Sequence, residues 1–201
     1  MSEVEFQKFG KIARLSREIV ITEKIDGTNA QVYVGEDGEV RAGSRKRWIT
    51  PEDDNFGFAA WVRDHEDELR TLGPGRHFGE WWGKGIQRNY GLDGRRFSMF
   101  NVLRWSLHGE GPREEPTRDP LITRTTKVLP PCVGLVPVLS RGVFSEVEIM
   151  AALNRLRLFG SEAVPGFMKP EGVVVYHTAS GALFKKTIEK DDEPKGMRGK
   201  A

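Results

Sequence analysis

Short runs of alternating or β-branched residues recur along most of this chain, and they restrict its fold more than any other feature. Residues 18–23 (EIVITE) read as a strand, because branched apolar side chains suit a pleated, half-buried surface. A turn at Asp26-Gly27 precedes a second strand over residues 31–34. Glu36-Asp37-Gly38 is a hairpin signal, and residues 39–42 return from it. Residues 76–82, 97–103, 133–139, 172–176 and 182–186 are further strands. Only two segments carry helical signals. The first starts near Thr50-Pro51, a capping residue followed by a first-turn proline, and runs to residue 71 with Gly73 as its stop. The second opens on Ser145-Glu146-Val147-Glu148, a capping box, and lines up Ile149, Leu153 and Leu156 on one stripe. Consecutive strands with two helices predict an antiparallel-sheet α+β domain, not a doubly wound one.

At 201 residues the chain suits one substantial domain. We assign residues 1–190 to it and residues 191–201 to a charged, flexible tail. Residues 109–126 (GEGPREEPTRDPLITRTT) are polar and proline-bearing, which predicts a surface loop. Net charge is only +2, from 31 basic and 29 acidic residues. That balance excludes a histone-like binder that neutralises phosphate by mass, but it permits a local basic groove. The single cysteine, Cys132, forms no internal disulfide, which suits a reducing compartment. No apolar run approaches the ~20 residues of a membrane span, and the acidic start lacks a signal-peptide pattern. The expectation is a cytoplasmic protein with no membrane partner.

The strongest chemical signal is Thr22-Glu23-Lys24-Ile25-Asp26-Gly27-Thr28-Asn29. A lysine at a strand end points into the space beside the sheet, where it acts as a nucleophile once its amine loses a proton. Burial or neighbouring cations achieve that near neutral pH. Gly27 permits close backbone approach to a phosphate, and Asp26 suits a metal ion or its water shell. An ordinary hairpin with an exposed lysine accounts for the same residues, so the neighbours decide.

TEKIDGTN resembles the first motif of the covalent nucleotidyltransferase superfamily, which includes ATP-dependent DNA ligases, RNA ligases and mRNA capping enzymes. The Glu23-Lys24 pair followed by Gly27-Thr28-Asn29 is most similar to RNA ligases of the phage RNA ligase 2 type. DNA ligases usually carry arginine near the position of Asn29, which favours RNA over DNA. The later motifs follow in order. Ala42-Gly43-Ser44-Arg45-Lys46-Arg47 resembles the family's basic segment, with its arginine carried onto Arg45 and Arg47 as a rival; a guanidinium suits bidentate contact with phosphate or ribose oxygens. His77-Phe78-Gly79-Glu80-Trp81-Trp82-Gly83 resembles the third motif, where Glu80 would accept hydrogen bonds from the ribose. Phe97-Ser98-Met99-Phe100-Asn101-Val102 resembles the adjoining motif, with Phe100 stacking on the purine and Asn101 standing where related ligases often have aspartate. Pro170-Glu171-Gly172-Val173 resembles the fourth, with Glu171 as a metal ligand, direct or through water. Leu183-Phe184-Lys185-Lys186-Thr187 resembles the fifth, but its lysines are adjacent rather than alternate. On a regular strand they point to opposite faces, so one lysine or a bulge must hold the α-phosphate, with Lys185 favoured, Lys186 open, and Lys190 or Lys195 able to compensate.

The resemblance implies a ligase adenylation domain with a nucleotide cleft between sheets. It assigns catalysis to Lys24, Asp26, Lys185 and Lys186, and cofactor binding to Glu23, Gly27, Asn29, Arg45, Glu80, Phe100 and Glu171. The metal falls to Asp26 and Glu171. ATP would donate AMP to Lys24 with Mg2+ or Mn2+, and AMP would pass to a 5′-phosphate that a 3′-hydroxyl then seals. A nucleic-acid rim would come from Arg41, Arg45, Lys46, Arg47, Arg95, Arg96 and Arg104, with Trp48 interleaved. Relatives commonly carry a second domain after the fifth motif, and too little chain follows Thr187 for one, so the expectation is either a minimal ligase or one whose nucleic-acid platform a partner protein supplies. Two rivals stay open: a capping-like guanylyltransferase, and a non-catalytic nucleotide- or nucleic-acid-binding module of the same fold.

Overall fold

The computed structural model describes residues 4–117, 122–189 and 191. Strand β1 (Glu18–Lys24) sends Ile19 and Ile21 to one face and Val20, Thr22 and Lys24 to the other. After the Asp26-Gly27 turn come β2 (Thr28–Val34), β3 (Val40–Ser44) and the two-residue β4 (Trp48–Ile49). Helices α1 (Phe58–Asp64) and α2 (Glu66–Arg70) precede the long β5 (Gly75–Gly83) and β6 (Arg95–Met99). Short pieces follow: β7 (Trp105–Ser106), the hairpin of β8 (Glu114–Pro116) and β9 (Thr123–Thr125), then β10 (Lys127–Val128) and β11 (Val133–Leu135). The chain closes with β12 (Val138–Val143), α3 (Glu146–Phe159), β13 (Gly172–His177) and β14 (Ala182–Thr187).

These strands make a six-stranded sheet in the order β11-β6-β5-β2-β3-β4 and a four-stranded sheet in the order β12-β1-β13-β14. Every neighbour in both is antiparallel except the β11–β6 pair. The α+β class with mainly antiparallel sheets therefore holds. Three cores fix the layers. Helices α1 and α2 cover one face of the large sheet through Phe58, Val62 and Leu69 against Val32, Trp81 and Phe97. Helix α3 covers one face of the small sheet through Leu153 and Leu156 against Ile19, Ile21, Val173 and Val175. Val20 of the small sheet and Trp82 of the large one join a third cluster with Ile25, Tyr90, Val102 and Val136, which holds the sheets together. Leu153 and Leu156 are 1% and 0% exposed, so truncating either to alanine costs ~2–5 kcal/mol.

Several local expectations shift for identifiable reasons. The first helical segment starts at Phe58 rather than near Thr50, because Asp54 supplies the capping acceptor. Its Oδ1 accepts from the Ala59 backbone N–H at 2.8 Å and its Oδ2 from Ala60 at 3.1 Å, which satisfies first-turn donors. Ser145 caps α3 as expected, accepting from the Glu148 N–H at 3.3 Å. The return half of the box is missing, since Glu148 accepts from Ser140 instead. The strand at 97–103 stops at Met99, where Asn101 Oδ1 accepts from the Arg104 N–H at 3.1 Å and turns the chain. The run at 133–139 breaks in two at Val136-Pro137, because there the chain passes from the large sheet to the small one; the Pro137 carbonyl then accepts from the Glu23 N–H at 2.9 Å. The expected loop at 109–126 contains the β8–β9 hairpin, whose buried Glu115 pairs with Arg141. The expectations for Lys190, Lys195 and most of the tail fall outside the described residues. No helix among the described residues is long and apolar enough to cross a membrane.

Candidate functional site

The face of β1 that carries Val20 and Thr22 ends in Lys24, whose Nζ donates to Glu171 Oε2 at 2.5 Å. Their side chains are 21% and 15% exposed, so solvent screens this charge pair only in part. Glu171 sits at the head of β13, where its carbonyl accepts from the Ile188 N–H at 2.9 Å. Gly172 follows at φ 153, and a Cβ there would lie 2.2 Å from the Lys186 carbonyl oxygen. Only glycine lets β14 close on this point. Gly27 is similarly constrained: a Cβ would meet the Trp81 carbonyl oxygen at 2.4 Å and the Trp82 Cβ at 2.6 Å. Close packing of the turn on β5 thus demands that glycine, apart from any phosphate.

The turn is pinned from the large sheet by Glu80. Its Oε1 accepts from the Gly27 N–H at 3.0 Å and its Oε2 from Asn29 Nδ2 at 3.2 Å. Burial pushes the Glu80 carboxyl up to about 7 against these stabilising bonds, because desolvation disfavours the charged form. Glu80 is thus a costly buried acceptor held in one orientation beside the lysine turn. Glu23 behaves differently. It faces the other side of β1 and is 1% exposed. Its carboxylate accepts from Ser161 Oγ at 2.6 Å and from the backbone N–H groups of Glu162 and Ala163 at 2.8 and 2.9 Å. Three internal donors thus occupy the Glu23 carboxylate, which ties β1 to the loop after α3.

Two residues absent from the sequence reading join the site. The Tyr90 hydroxyl accepts from the Asp26 backbone N–H at 2.9 Å, and Arg88 Nε donates to Asp26 Oδ2 at 3.0 Å while its Nη1 reaches the Lys169 carbonyl at 3.0 Å. Both lie in the connection between β5 and β6, where Gln87, Asn89 and Tyr90 adopt φ of 44°, 62° and 53°. Left-handed backbone at non-glycine residues is costly and persists where the surroundings impose it. The signal for it, glycines interleaved with Arg88 and Tyr90 between two strands, carries no periodicity.

Register separates the adjacent lysines. Lys24 lies opposite Gly172 and Gly172 opposite Thr187, while Thr22 lies opposite Val174 and Val174 opposite Lys185. Directly opposed residues share a face, so Lys185 shares the face of Lys24, roughly 12 Å away, two strand spacings across and two residues along. Lys186 opposes Val173, on the α3 side, and pairs with Asp191 at 3.0 Å. In the β3–β4 turn Arg47 forks onto Asp53, while Arg45 and Lys46 are exposed and make no ion pair among the described residues. Phe100 is 41% exposed at the end of β6, bonded through its N–H to the Phe78 carbonyl.

For a metal, Asp26 and Glu171 are the carboxylates at hand, paired to Arg88 and Lys24. No group of three or more His, Cys, Asp or Glu capable of holding an ion occurs among the described residues. Two carboxylates alone form no protein cage; they would suit only a hard divalent cation that takes most of its shell from phosphate oxygens and water.

A family model described as RNA ligase matches residues 17–187. The fold is also similar to solved structures of the Naegleria gruberi RNA ligase. A structure with PPi has a TM-score of 0.52 at 19% identity, covering 89% of this chain and 53% of that one. A mutant with ATP and Mn scores 0.51 at 17% identity over 87% and 51%, and a mutant with AMP and Mn scores 0.51 at 18% over 86% and 50%. The chain spans about half the length of these structures.

Proposed function

Because the chain belongs to the RNA ligase family, we propose that it is an ATP-dependent polynucleotide ligase that works through a lysyl-AMP on Lys24. The observation that carries this reading is the Lys24–Glu171 contact at 2.5 Å, with Lys185 on the same face. Lys24 Nζ attacks the α-phosphorus of ATP, forming a P–N bond as the bond to the β-phosphate oxygen breaks and pyrophosphate leaves. Glu171 Oε2 already holds the amine's hydrogen bond and is placed to take the proton that Nζ sheds. Lys185 offsets charge building on the α-phosphoryl oxygens, where electrostatic help counts most. When bound through Glu171, with Asp26 as a second donor once it parts from Arg88, a divalent ion such as Mg2+ or Mn2+ would supply further charge stabilisation there. Glu80 receives the ribose hydroxyls and Phe100 stacks on the adenine. Gly27 and Asn29 position Glu80, and Arg45 reaches phosphate from the β3–β4 turn. AMP then passes to a 5′-phosphate end, preferentially of RNA, and a 3′-hydroxyl displaces it.

The ATP, AMP and Mn bound in the Naegleria gruberi structures support the choice of nucleotide and of a divalent ion. Incubation with labelled ATP or GTP in separate reactions with Mg2+, followed by denaturing electrophoresis, tests the reading. Covalent label from ATP alone is expected. Label from GTP alone would make it a capping-like enzyme, and none from either would make it a binding module. A panel of nicked duplexes and single strands then reports the joined product.

A further inference from the structure

Strand β14 ends the order of the small sheet, so its outer side has no strand partner. Its last two residues gather donors there. Thr187 lies in the row that runs from Lys24 through Gly172, so its side chain shares the lysine face, roughly 10 Å from Lys24. Lys186 starts from the opposite face, yet its long side chain reaches the same carboxylate beyond the strand. Asp191 Oδ1 accepts from the Thr187 backbone N–H at 2.9 Å and from the Thr187 hydroxyl at 3.4 Å, while its Oδ2 accepts from Lys186 Nζ at 3.0 Å. The Thr187 N–H, and after it the Lys186 amine, hold the Asp191 carboxyl below its ordinary range. More positive charge stands around this turn. Arg157 reaches the Ile188 carbonyl from α3 at 3.4 Å, and the exposed Lys185 makes no ion pair among the described residues. The acids in the same stretch are Asp191 and the exposed Glu189.

We propose that Lys186 Nζ, the Thr187 N–H and the Thr187 hydroxyl form a phosphate-binding site, which Asp191 occupies as an internal stand-in until a phosphate group displaces it. A strand end needs only one acceptor for its free N–H. Here an ammonium and a hydroxyl converge on the same anion, which is the donor set that suits a phosphate. The exchange favours the incoming group. A phosphate brings more charge and one more acceptor oxygen than a carboxylate, and the Asp191 side chain, 30% exposed, returns to water when it leaves. Asp191 is also a brake, because a second anion at the same donors meets like-charge repulsion while the carboxylate stays. This role gives Lys186 a use that its adjacency to Lys185 denies it on the lysine face. The phosphate is one already engaged near Lys24, either an outer phosphate of ATP or the 5′-phosphate of a strand end; in that respect the inference rests on the ligase reading.

The test is isothermal titration calorimetry of the full chain with pyrophosphate, without divalent ion, after any AMP has been removed with pyrophosphate and Mg2+. Asp191→Asn keeps an acceptor for the Thr187 N–H but loses the charge, and it should bind pyrophosphate about five- to twentyfold more tightly than the wild type. Adding Lys186→Met or Thr187→Val to Asp191→Asn should return most of that gain, whereas adding Thr187→Ser, which keeps the hydroxyl, should preserve it to within about threefold. A 5′-phosphorylated oligonucleotide beside its unphosphorylated counterpart is the second arm. A gain confined to pyrophosphate assigns the site to the outer phosphates of ATP, and a gain confined to the 5′-phosphate assigns it to the strand end. Equal affinity of the wild type and Asp191→Asn for both probes would overturn the inference, as would a gain that survives Lys186→Met. Asp191 is exposed and follows the last strand, so Asp191→Asn leaves the three cores untouched, and unchanged circular dichroism checks this. Labelling of the wild type by ATP, run in parallel, separates the two readings. A chain that gains phosphate affinity on Asp191→Asn yet takes no AMP breaks the ligase proposal and leaves the phosphate site standing; a labelled chain without the gain removes the phosphate site alone.

Discussion

At the lysine end of the large sheet nearly every polar group already has a partner, whereas further along the same face rings and arginines stand in solvent. Glu80 is bonded to Gly27 and Asn29, Asp26 to Arg88 and Tyr90, and Lys24 to Glu171. These contacts join residues as far apart in sequence as 24 and 171, drawn from both sheets and from the connection between β5 and β6. By contrast, Phe78, Tyr33, Trp48 and Arg76 belong to one sheet and bury no carboxylate. The difference teaches that one region is held in a single geometry before a ligand arrives, as electrostatic catalysis requires. The other leaves its rings and cation open to solvent, with no buried charge to orient.

The comparison breaks most readily at its paired end. Glu171→Ala should lower covalent labelling by ATP by a factor on the order of 10²–10³, read as label per protein per minute on a variant with unchanged circular dichroism. A loss under about threefold would mean that the Lys24–Glu171 contact is incidental to the chemistry. Glu80 offers a subtler test. Its carboxyl titrates at about 7 in the fold against an ordinary 4.5. Between those values the folded chain keeps a proton that the unfolded chain has lost, so this group's contribution to stability falls as pH rises through the window. Above about pH 7 it is a fixed penalty. Glu80→Gln cannot ionise and should gain on the wild type between about pH 5 and pH 8, by at most ~3 kcal/mol, measured by urea unfolding at each pH. A constant difference across the range would remove the strained carboxylate from the account. Tyr90→Phe should have the smallest effect. It deprives the Asp26 N–H of its acceptor and should cost ~1–2 kcal/mol of stability, read from the same unfolding curves. A neutral outcome would mean that water replaces the hydroxyl and that the turn is looser than its bonds suggest.

How much of this was legible in the sequence follows from the same contrast. Period-two alternation and the Asp-Gly turns located the main strands, and Ser145 marked the start of α3, because those signals are local. The site segments were legible through resemblance at Lys24, Glu80, Glu171 and Lys185. What each side chain does was harder to read. Glu23 and Lys24 are adjacent, and only the packing of α3 against Ile19 and Ile21 decides which of them faces the loop at 161–164. Lys185 and Lys186 present the same problem, and it yields only to the register with β13. Arg88 and Tyr90 were invisible because they act through an aperiodic connection whose left-handed residues leave no pattern. The start of α1 was misplaced because Asp54 and Thr50 are both reasonable caps, and tertiary packing of Phe58 chooses between them.

The most direct measurement is intact-protein mass spectrometry after incubation with ATP and Mg2+, followed by peptide mapping under conditions that preserve a phosphoramidate. One AMP on the peptide containing Lys24, released by added pyrophosphate and missing from Lys24→Arg, is the predicted result. An adduct on another residue, or a chain that stays unmodified at saturating ATP, would contradict the claim that this amine is the nucleophile.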